Sequence, residues 1–200
     1  MIDELHERYR GKVKTVEELL AEIGGFPRKQ KLIMCHGVFD VVHPGHLRHL
    51  VYAKGKADLL VASLTADRHI SKGAYRPHVP QDLRALALAA FDIVDFVIID
   101  KNPTPIENLK TLQPDFFAKG YEYVAEGIKP KTSEEEKVVS GYGGKIIFTP
   151  GDIVYSSSNL IELAPPEIKT EKLLTVMRSR GVEFADLHTT LDRMEGKKVH

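Results

Sequence analysis

The chain has 200 residues, 42% of them hydrophobic, which suits one domain with an extra segment and a sizeable core. Its 28 Lys and Arg balance its 28 Asp and Glu, so a nucleic-acid partner that needs a basic surface is not expected. No stretch approaches the roughly 20 apolar residues of a membrane span. The charged start of the chain lacks the apolar core of a signal peptide. The single cysteine, Cys35, cannot form an intramolecular disulfide. We therefore expect a cytoplasmic protein without a membrane partner.

Helical and strand patterns alternate along the chain. Thr15 and Glu18 match a capping box and predict a helix over 16–23, which the glycines at 24 and 25 and Pro27 end. Farther on, short apolar runs predict strands over 31–35, 58–64, 96–99, 115–118 and 145–148. Helical spacing of apolar residues predicts helices over 46–53, 81–91, 106–112, 134–140 and 158–163.

This alternation predicts an α/β fold with a Rossmann-like, doubly wound, five-stranded parallel sheet that has helices on both faces. The Ala164-Pro165-Pro166 segment is predicted to end that domain, which leaves 1–164 as the main domain and 165–200 as a helical extension or linker. Because the last residues resemble the start of a strand, we hypothesise that the natural protein continues into a further domain. A homodimer is expected only because two-fold assemblies are the commonest oligomers.

The candidate site is the segment from Gly37 to His46, which follows the first predicted strand and leads into a helix. A helix N-terminus offers N–H groups and partial positive charge to a phosphate, and Gly37 and Gly45 permit close approach of a ligand to the backbone. His43 and His46 flank the Pro44-Gly45 turn, so both rings can point into one pocket. There they would donate hydrogen bonds to phosphate oxygens.

Two other roles are open to these histidines. Zinc binding lacks support, because no Cys, Glu or third His lies at a useful local spacing. The rings would also serve simply to cap the helix and fill space, but the two glycines, the turn and the strand–helix context favour phosphate binding. A dinucleotide-binding redox protein is not expected, because no Gly-x-Gly-x-x-Gly motif follows the first strand.

The segments Gly37-Val38-Phe39-Asp40 and His43-Pro44-Gly45-His46 resemble the signature of the cytidylyltransferase-like nucleotidyltransferase superfamily. Segments 71–80, 81–84, 118–120 and 155–161 resemble later family motifs in the same order. The nearest resemblance, over about 13–163, is to the adenylyltransferase domain of heptose-phosphate enzymes, which make ADP-activated heptose for cell-surface glycan. That domain is often fused to a sugar kinase, and 191–200 resemble the entry to such a kinase.

The resemblance implies an enzyme that transfers AMP from ATP to a heptose 1-phosphate type of sugar phosphate and releases pyrophosphate. Three segments depart from the heptose pattern, namely 35–38 (usually Thr-Asn-Gly-Cys), 121–123 and 151–155. The first and third lie near the expected substrate and nucleotide pockets, and they leave open the alternative of CMP transfer from CTP to a polyol or amino-alcohol phosphate of the glycerol-phosphate type. A non-catalytic nucleotide-binding domain is the third possibility, which the joint presence of His43, His46, Lys72 and a serine cluster disfavours.

The resemblance also implies residue roles. The predicted catalytic residues are His43 and His46, on the triphosphate and its transition state, and Lys72, on the α-phosphate or the acceptor phosphate. The predicted nucleotide-binding residues are Gly37, Val38, Phe39, Gly45, Lys119, Gly120, Tyr155, Ser156, Ser157 and Ser158, and the predicted acceptor-binding residues are Asp40, Arg76 and Arg84. Mg²⁺ is expected to enter with the NTP, held by phosphate oxygens and water, with no protein metal site.

Ordinary structural roles compete with these assignments. Lys72 and Lys119 would be solvent-exposed loop lysines, Arg84 a surface helix residue, and the serines from Ser156 a helix cap. The histidines outside the motif, among them His49, are expected to be surface or packing residues.

Overall fold

Six α-helices and five β-strands, in the order expected for an α/β protein, form the framework of the described part of the chain. The structure is a computed structural model and describes residues 2–70, 76–120 and 130–149, which belong to one compact unit. The helices are α1 (Ile2–Tyr9), α2 (Val16–Ile23), α3 (Pro44–Lys54), α4 (Gln81–Ala89), α5 (Ile106–Leu112) and α6 (Pro130–Gly141). The strands are β1 (Leu32–Gly37), β2 (Leu59–Thr65), β3 (Phe96–Asp100), β4 (Phe116–Gly120) and β5 (Lys145–Thr149).

The five strands form one sheet in the order β3-β2-β1-β4-β5, and every neighbouring pair is parallel. The strands β2 and β3 follow one another on one side of β1. The chain then crosses over, and β4 and β5 lie on the other side of β1. The strand order therefore reverses between β1 and β4, and ligands of such sheets bind at this place, beyond the carboxyl ends of the strands. The predicted doubly wound, five-stranded parallel sheet is confirmed.

Two apolar layers cover the sheet. On one face, Cys35 of β1 packs in a cluster that includes Leu50 of α3 and Leu88 of α4. On the other face, Met34 of β1 packs in a cluster that includes Leu109 of α5 and residues of α2 and α6. Successive side chains of a strand point to opposite faces of the sheet. The side chain that follows Cys35 in β1, that of His36, therefore lies on the same face as Met34.

Local signals account for most element ends. The Thr15 hydroxyl accepts from the Glu18 N–H, the Glu18 carboxylate accepts from the Thr15 N–H, and α2 ends at Gly24, whose φ is 78°. The strands β1 and β4 run two residues farther than predicted, to Gly37 and Gly120, and α6 begins at Pro130 instead of 134. The helix predicted over 158–163 and the extension over 165–200 lie outside the described residues.

The helix α1 is the one described helix that the sequence patterns did not predict. Its residues are mostly charged and exposed, and its apolar positions are few. Tyr9, the last residue of α1, packs against the core, and in the chain that follows the Lys12 ammonium donates to the Val94 and Phe91 carbonyls at 2.8 and 3.1 Å. Among the described helices, none is long and apolar enough to cross a membrane.

Candidate functional site

The turn that follows β1 holds a bulky residue in a strained backbone conformation. Phe39 has a φ of 51°, in the left-handed region that side chains with a Cβ rarely adopt, yet it is buried. Its ring lies 5.1 Å from the His46 ring, centroid to centroid. A Cβ at Gly37 would meet the Phe39 ring at 3.3 Å, so glycine there leaves room for the ring. Strain of this kind tends to concentrate at functional sites.

The two motif histidines stack on each other at the start of α3, with their ring centroids 3.9 Å apart. His43 is the N-cap residue, and its Nδ1 accepts from the Gly45 N–H at 3.1 Å. Since Nδ1 is the acceptor, a neutral His43 carries its proton on Nε2, where it can donate to a ligand. His43 therefore caps the helix, as one alternative proposed, and still presents a donor beyond the helix end.

Both rings are neutral at ordinary pH. Burial lowers the pKa of His46 to about 4, with further lowering by the nearby His43 and His49, and burial also lowers the pKa of His43. The Nδ1 atom of His46 is buried and has no hydrogen-bond partner within the described residues. A hydrogen bond to the Val41 backbone raises the pKa of His46 in part and uses the one N–H of its neutral ring. The free donor of the neutral pair is therefore Nε2–H of His43, and a bound phosphate would raise both pKa values and let His46 donate as well.

Asp40 joins this turn to the segment that precedes α4. Its buried carboxylate accepts from the backbone N–H groups of His78 and Val79 at 2.8 and 3.0 Å, and the Arg76 Nη1 lies 3.4 Å from it. The carboxylate and the guanidinium are therefore paired with each other, and these contacts hold the loop in place. The acceptor-binding roles of Asp40 and Arg76 stay predictions.

Arg84 is buried, with 1% of its surface exposed, so the alternative of a surface helix residue was wrong. Its Nε donates to the Val79 carbonyl at 2.9 Å, and its terminal nitrogens donate to the carbonyls of Val38 and Thr65 and to the Asp67 carboxylate. The guanidinium thereby ties the turns after β1 and β2 to the start of α4. Its predicted contact with the acceptor stays a prediction, while these contacts give it a positioning role.

Lys119, at the end of β4, is buried and forms an ion pair with Glu135 of α6. The alternative of a solvent-exposed loop lysine was wrong for this residue, and its predicted contact with the nucleotide is not tested. The Thr149 hydroxyl donates to the Lys119 carbonyl at 3.3 Å, and the same oxygen lies 3.0 Å from Nδ1 of His49. His49 is thus a packing residue, as expected, that links α3 to the end of β5.

A second polar group, not predicted as part of the site, lies at the carboxyl ends of β1, β2 and β3. The His36 ring contacts the hydroxyls of Ser63 and Thr65, and its Nδ1 lies 3.8 Å from the Asp100 carboxylate. Taken singly, each is an ordinary polar residue at the end of a strand. Only the register of the strands shows that they lie together, because His36 pairs with Ser63 and Thr65 pairs with Asp100 across the sheet.

The remaining predicted residues have simpler placements. The Val38 carbonyl accepts a hydrogen bond from Arg84, and the Gly45 N–H donates one to Nδ1 of His43. Gly120 is the last residue of β4. Lys72, Tyr155, Ser156, Ser157 and Ser158 lie outside the described residues. Within 2–70, 76–120 and 130–149, no three His, Cys, Asp or Glu side chains are grouped so as to hold a metal ion.

Comparisons with known proteins connect this arrangement to one family. A family model described as cytidylyltransferase-like matches residues 34–163. The chain is 35% identical over 164 residues to the "Bifunctional protein HldE" of Geotalea uraniireducens, a match that covers 80% of this chain and 32% of that protein. It is 33% identical over 160 residues to the protein of the same name in Geobacter sulfurreducens, covering 78% and 32%. The chain thus spans about a third of the length of these curated relatives.

Solved structures share the fold at lower identity. A lipopolysaccharide core biosynthesis protein from Thermoplasma volcanium aligns with a TM-score of 0.53 and 21% identity, over 62% of this chain and 99% of that one. A pantoate-beta-alanine ligase from Francisella tularensis aligns with a TM-score of 0.55 and 15% identity, over 83% and 78%. At these identities the likeness shows the fold alone.

Proposed function

Since the chain belongs to the cytidylyltransferase-like family and is a nucleotidyltransferase, we propose that it transfers AMP from ATP to a sugar 1-phosphate of the heptose type. An oxygen of the acceptor phosphate forms a bond to the α-phosphorus of ATP. The bond from that phosphorus to the bridging oxygen of the β-phosphate breaks, and pyrophosphate leaves. Little covalent chemistry falls to the protein in such a reaction, so positioning and charge stabilisation carry catalysis.

The stacked His43 and His46 pair is the observation that supports this chemistry best. It lies at the N-terminus of α3, directly beyond the end of β1, where the strand order reverses. Helix N–H groups and Nε2–H of His43 there offer donors to the triphosphate, and His46 becomes a further donor when the charge of the transferring phosphate raises its pKa. Phe39, packed near His46, helps to fix the ring that donates.

The other roles in the proposal come from the family resemblance. Lys72 would contact the α-phosphate or the acceptor phosphate, and Ser157 and Ser158 would bind the β- and γ-phosphates. Mg²⁺ would enter as part of the NTP substrate, bound through phosphate oxygens and water.

The choice of acceptor is supported by the relatives named bifunctional HldE and by the resemblance to heptose-phosphate enzymes over most of the chain. Those relatives are about three times as long as the segment matched, and their name gives them two functions. We include in the proposal a sugar-kinase-type partner domain that would supply the sugar 1-phosphate to this domain.

The deciding experiment measures pyrophosphate release by the purified chain with Mg²⁺. ATP, CTP, GTP and UTP are each paired with heptose 1-phosphates, other sugar phosphates, glycerol phosphate and ethanolamine phosphate. We expect turnover with ATP and a heptose 1-phosphate. Turnover only with CTP and glycerol or ethanolamine phosphate would replace the proposal with the cytidylyltransferase alternative. Silence of a folded protein across the panel would contradict it and favour nucleotide binding without transfer.

A further inference from the structure

A polar cluster lies on the face of the sheet opposite to α3 and the histidine pair. We call it the β1–β3 cluster, and its members are His36, Ser63, Thr65, Asp100, Asn102 and Asn108. Met34 and Ile98, which stand two residues before His36 and Asp100 in their strands, pack in the cluster that contains Leu109 of α5. Because side chains alternate along a strand, His36 and Asp100 face the α5 side as well.

The His36 ring is held in one orientation inside this cluster. Its Nδ1 lies 3.0 Å from the Ser63 hydroxyl and its Nε2 lies 3.3 Å from the Thr65 hydroxyl, and only 14% of the side chain is exposed. Burial lowers the pKa of His36 to about 4, so the ring is neutral and one nitrogen donates while the other accepts. Because both ring nitrogens have hydroxyl partners, the ring has one preferred orientation.

Two buried atoms of the β1–β3 cluster lack hydrogen-bond partners within the described residues. Asp100 is fully buried, and its Oδ1 accepts from the backbone N–H and the side-chain amide of Asn102 at 2.9 and 3.0 Å. Its Oδ2 has no partner within the described residues, and neither has the Nδ2 of Asn108, whose Oδ1 lies 3.5 Å from the Asn102 amide. Buried polar groups are nearly always paired, so an unpaired acceptor and an unpaired donor in one cluster need an explanation.

We propose that the β1–β3 cluster binds the hydroxyl groups of the acceptor, with Asp100 accepting and Asn108 donating a hydrogen bond. This inference rests on the proposed function. A sugar hydroxyl both donates and accepts, so hydroxyls can satisfy both atoms. An ammonium group only donates and would leave Asn108 unpaired. The cluster therefore selects a polyhydroxylated sugar phosphate over an amino-alcohol phosphate.

The position of the cluster suits the transfer reaction. His36 directly precedes Gly37 at the end of β1, where the histidine turn begins on the other face of the sheet. An acceptor bound to the cluster and a triphosphate bound to His43 and His46 would approach β1 from opposite faces and meet at its carboxyl end. Attack in line with the leaving pyrophosphate needs the two reactants on opposite sides of the phosphorus.

The first test compares the variants Asp100→Asn and Asn108→Leu with the wild-type chain in the pyrophosphate assay. Asp100→Asn, which affects a hydrogen bond to a carboxylate, is expected to raise the KM for heptose 1-phosphate roughly 10- to 100-fold. Asn108→Leu, which removes a hydrogen bond between neutral groups, is expected to raise it roughly 2- to 10-fold, and the KM for ATP should change less than about twofold in both. Tyr142→Phe is the matched control, because it removes a hydrogen bond to the Pro114 carbonyl at the opposite end of the sheet. It should change neither KM.

A second test needs neither variants nor turnover. The imidazole signals of His36 are followed by NMR while heptose 1-phosphate, ethanolamine phosphate or ATP is added to the wild-type chain. Heptose 1-phosphate should shift the His36 signals, ethanolamine phosphate should not, and ATP should shift those of His43 and His46 instead. The cluster assignment is overturned if heptose 1-phosphate leaves His36 unmoved, or if both folded variants keep a normal KM for it. If the wild-type chain releases no pyrophosphate but heptose 1-phosphate shifts the His36 signals, the transfer reaction is refuted and the binding site is supported.

Discussion

Replacing Arg84 by methionine separates a positioning role for this residue from direct contact with the acceptor. The substitution keeps an apolar stem of similar length and removes a guanidinium that donates to three backbone carbonyls and to Asp67. Each buried carbonyl left unpaired costs about 1–3 kcal/mol, and the Asp67 carboxylate is partly exposed and can turn to water. Methionine recovers part of this through its apolar burial, so we expect the free energy of unfolding to fall by about 3–5 kcal/mol.

The measurement is urea unfolding followed by circular dichroism, with the slope checked to confirm two-state behaviour. Arg68→Met is the matched control, since Arg68 is exposed and donates to the Lys101 carbonyl on the surface. It should change the free energy of unfolding by less than about 0.5 kcal/mol. If Arg84→Met leaves stability within about 1 kcal/mol of wild type and raises only the KM for the acceptor, Arg84 binds substrate and the positioning role is refuted.

Three further predictions use the same protein. His46→Ala should lower kcat by about 10²–10³ with the melting temperature nearly unchanged, since it removes one donor to developing charge, and near-normal turnover would contradict the site. Burial lowers the pKa of His36 and of His49 to about 4, below the roughly 6.5 of an unfolded chain. The unfolded state therefore binds more protons, so stability should be full above about pH 6.5 and fall towards pH 4 by on the order of 3 kcal/mol per histidine. A melting temperature that stays flat over this range would disprove it. Thr15→Ala should cost about 1 kcal/mol in urea unfolding through loss of the α2 cap, and an unchanged midpoint would show that the cap contributes nothing.

Signals that act over a few residues were predictable from the sequence. The capping box of Thr15 and Glu18 and the apolar run of β1 each depend on near neighbours, and the structure has both where they were expected. The motif turn was predictable for the same reason, because Gly37, Pro44 and Gly45 constrain their own backbone and bring the two histidine rings together. The helix α1 escaped prediction because its apolar positions are few, and because distant contacts, of Tyr9 with the core and of Lys12 with two carbonyls, hold it to the domain.

Contacts between distant residues could not be predicted in this way. Arg84 resembles a surface residue of an Ala- and Leu-rich helix until the Val38 carbonyl is placed beside it. Lys119 resembles a loop lysine until α6 brings Glu135 over it. The β1–β3 cluster depends on the register of three strands, which apolar patterning defines only to within a residue or two. A shift of one residue would turn His36 to the opposite face.

These buried contacts also bear on how a nucleotidyltransferase of this kind neutralises its substrates. Three cations near the motif turn are paired with carboxylates of the protein, Arg76 with Asp40, Arg84 with Asp67 and Lys119 with Glu135. The two motif histidines are neutral because burial lowers their pKa values. Formal positive charge for a triphosphate would then come mainly from Mg²⁺ and from residues such as Lys72. On this view the described residues provide fixed donors and backbone geometry, so substitutions among them should alter the alignment of the substrates more than the charge that they meet.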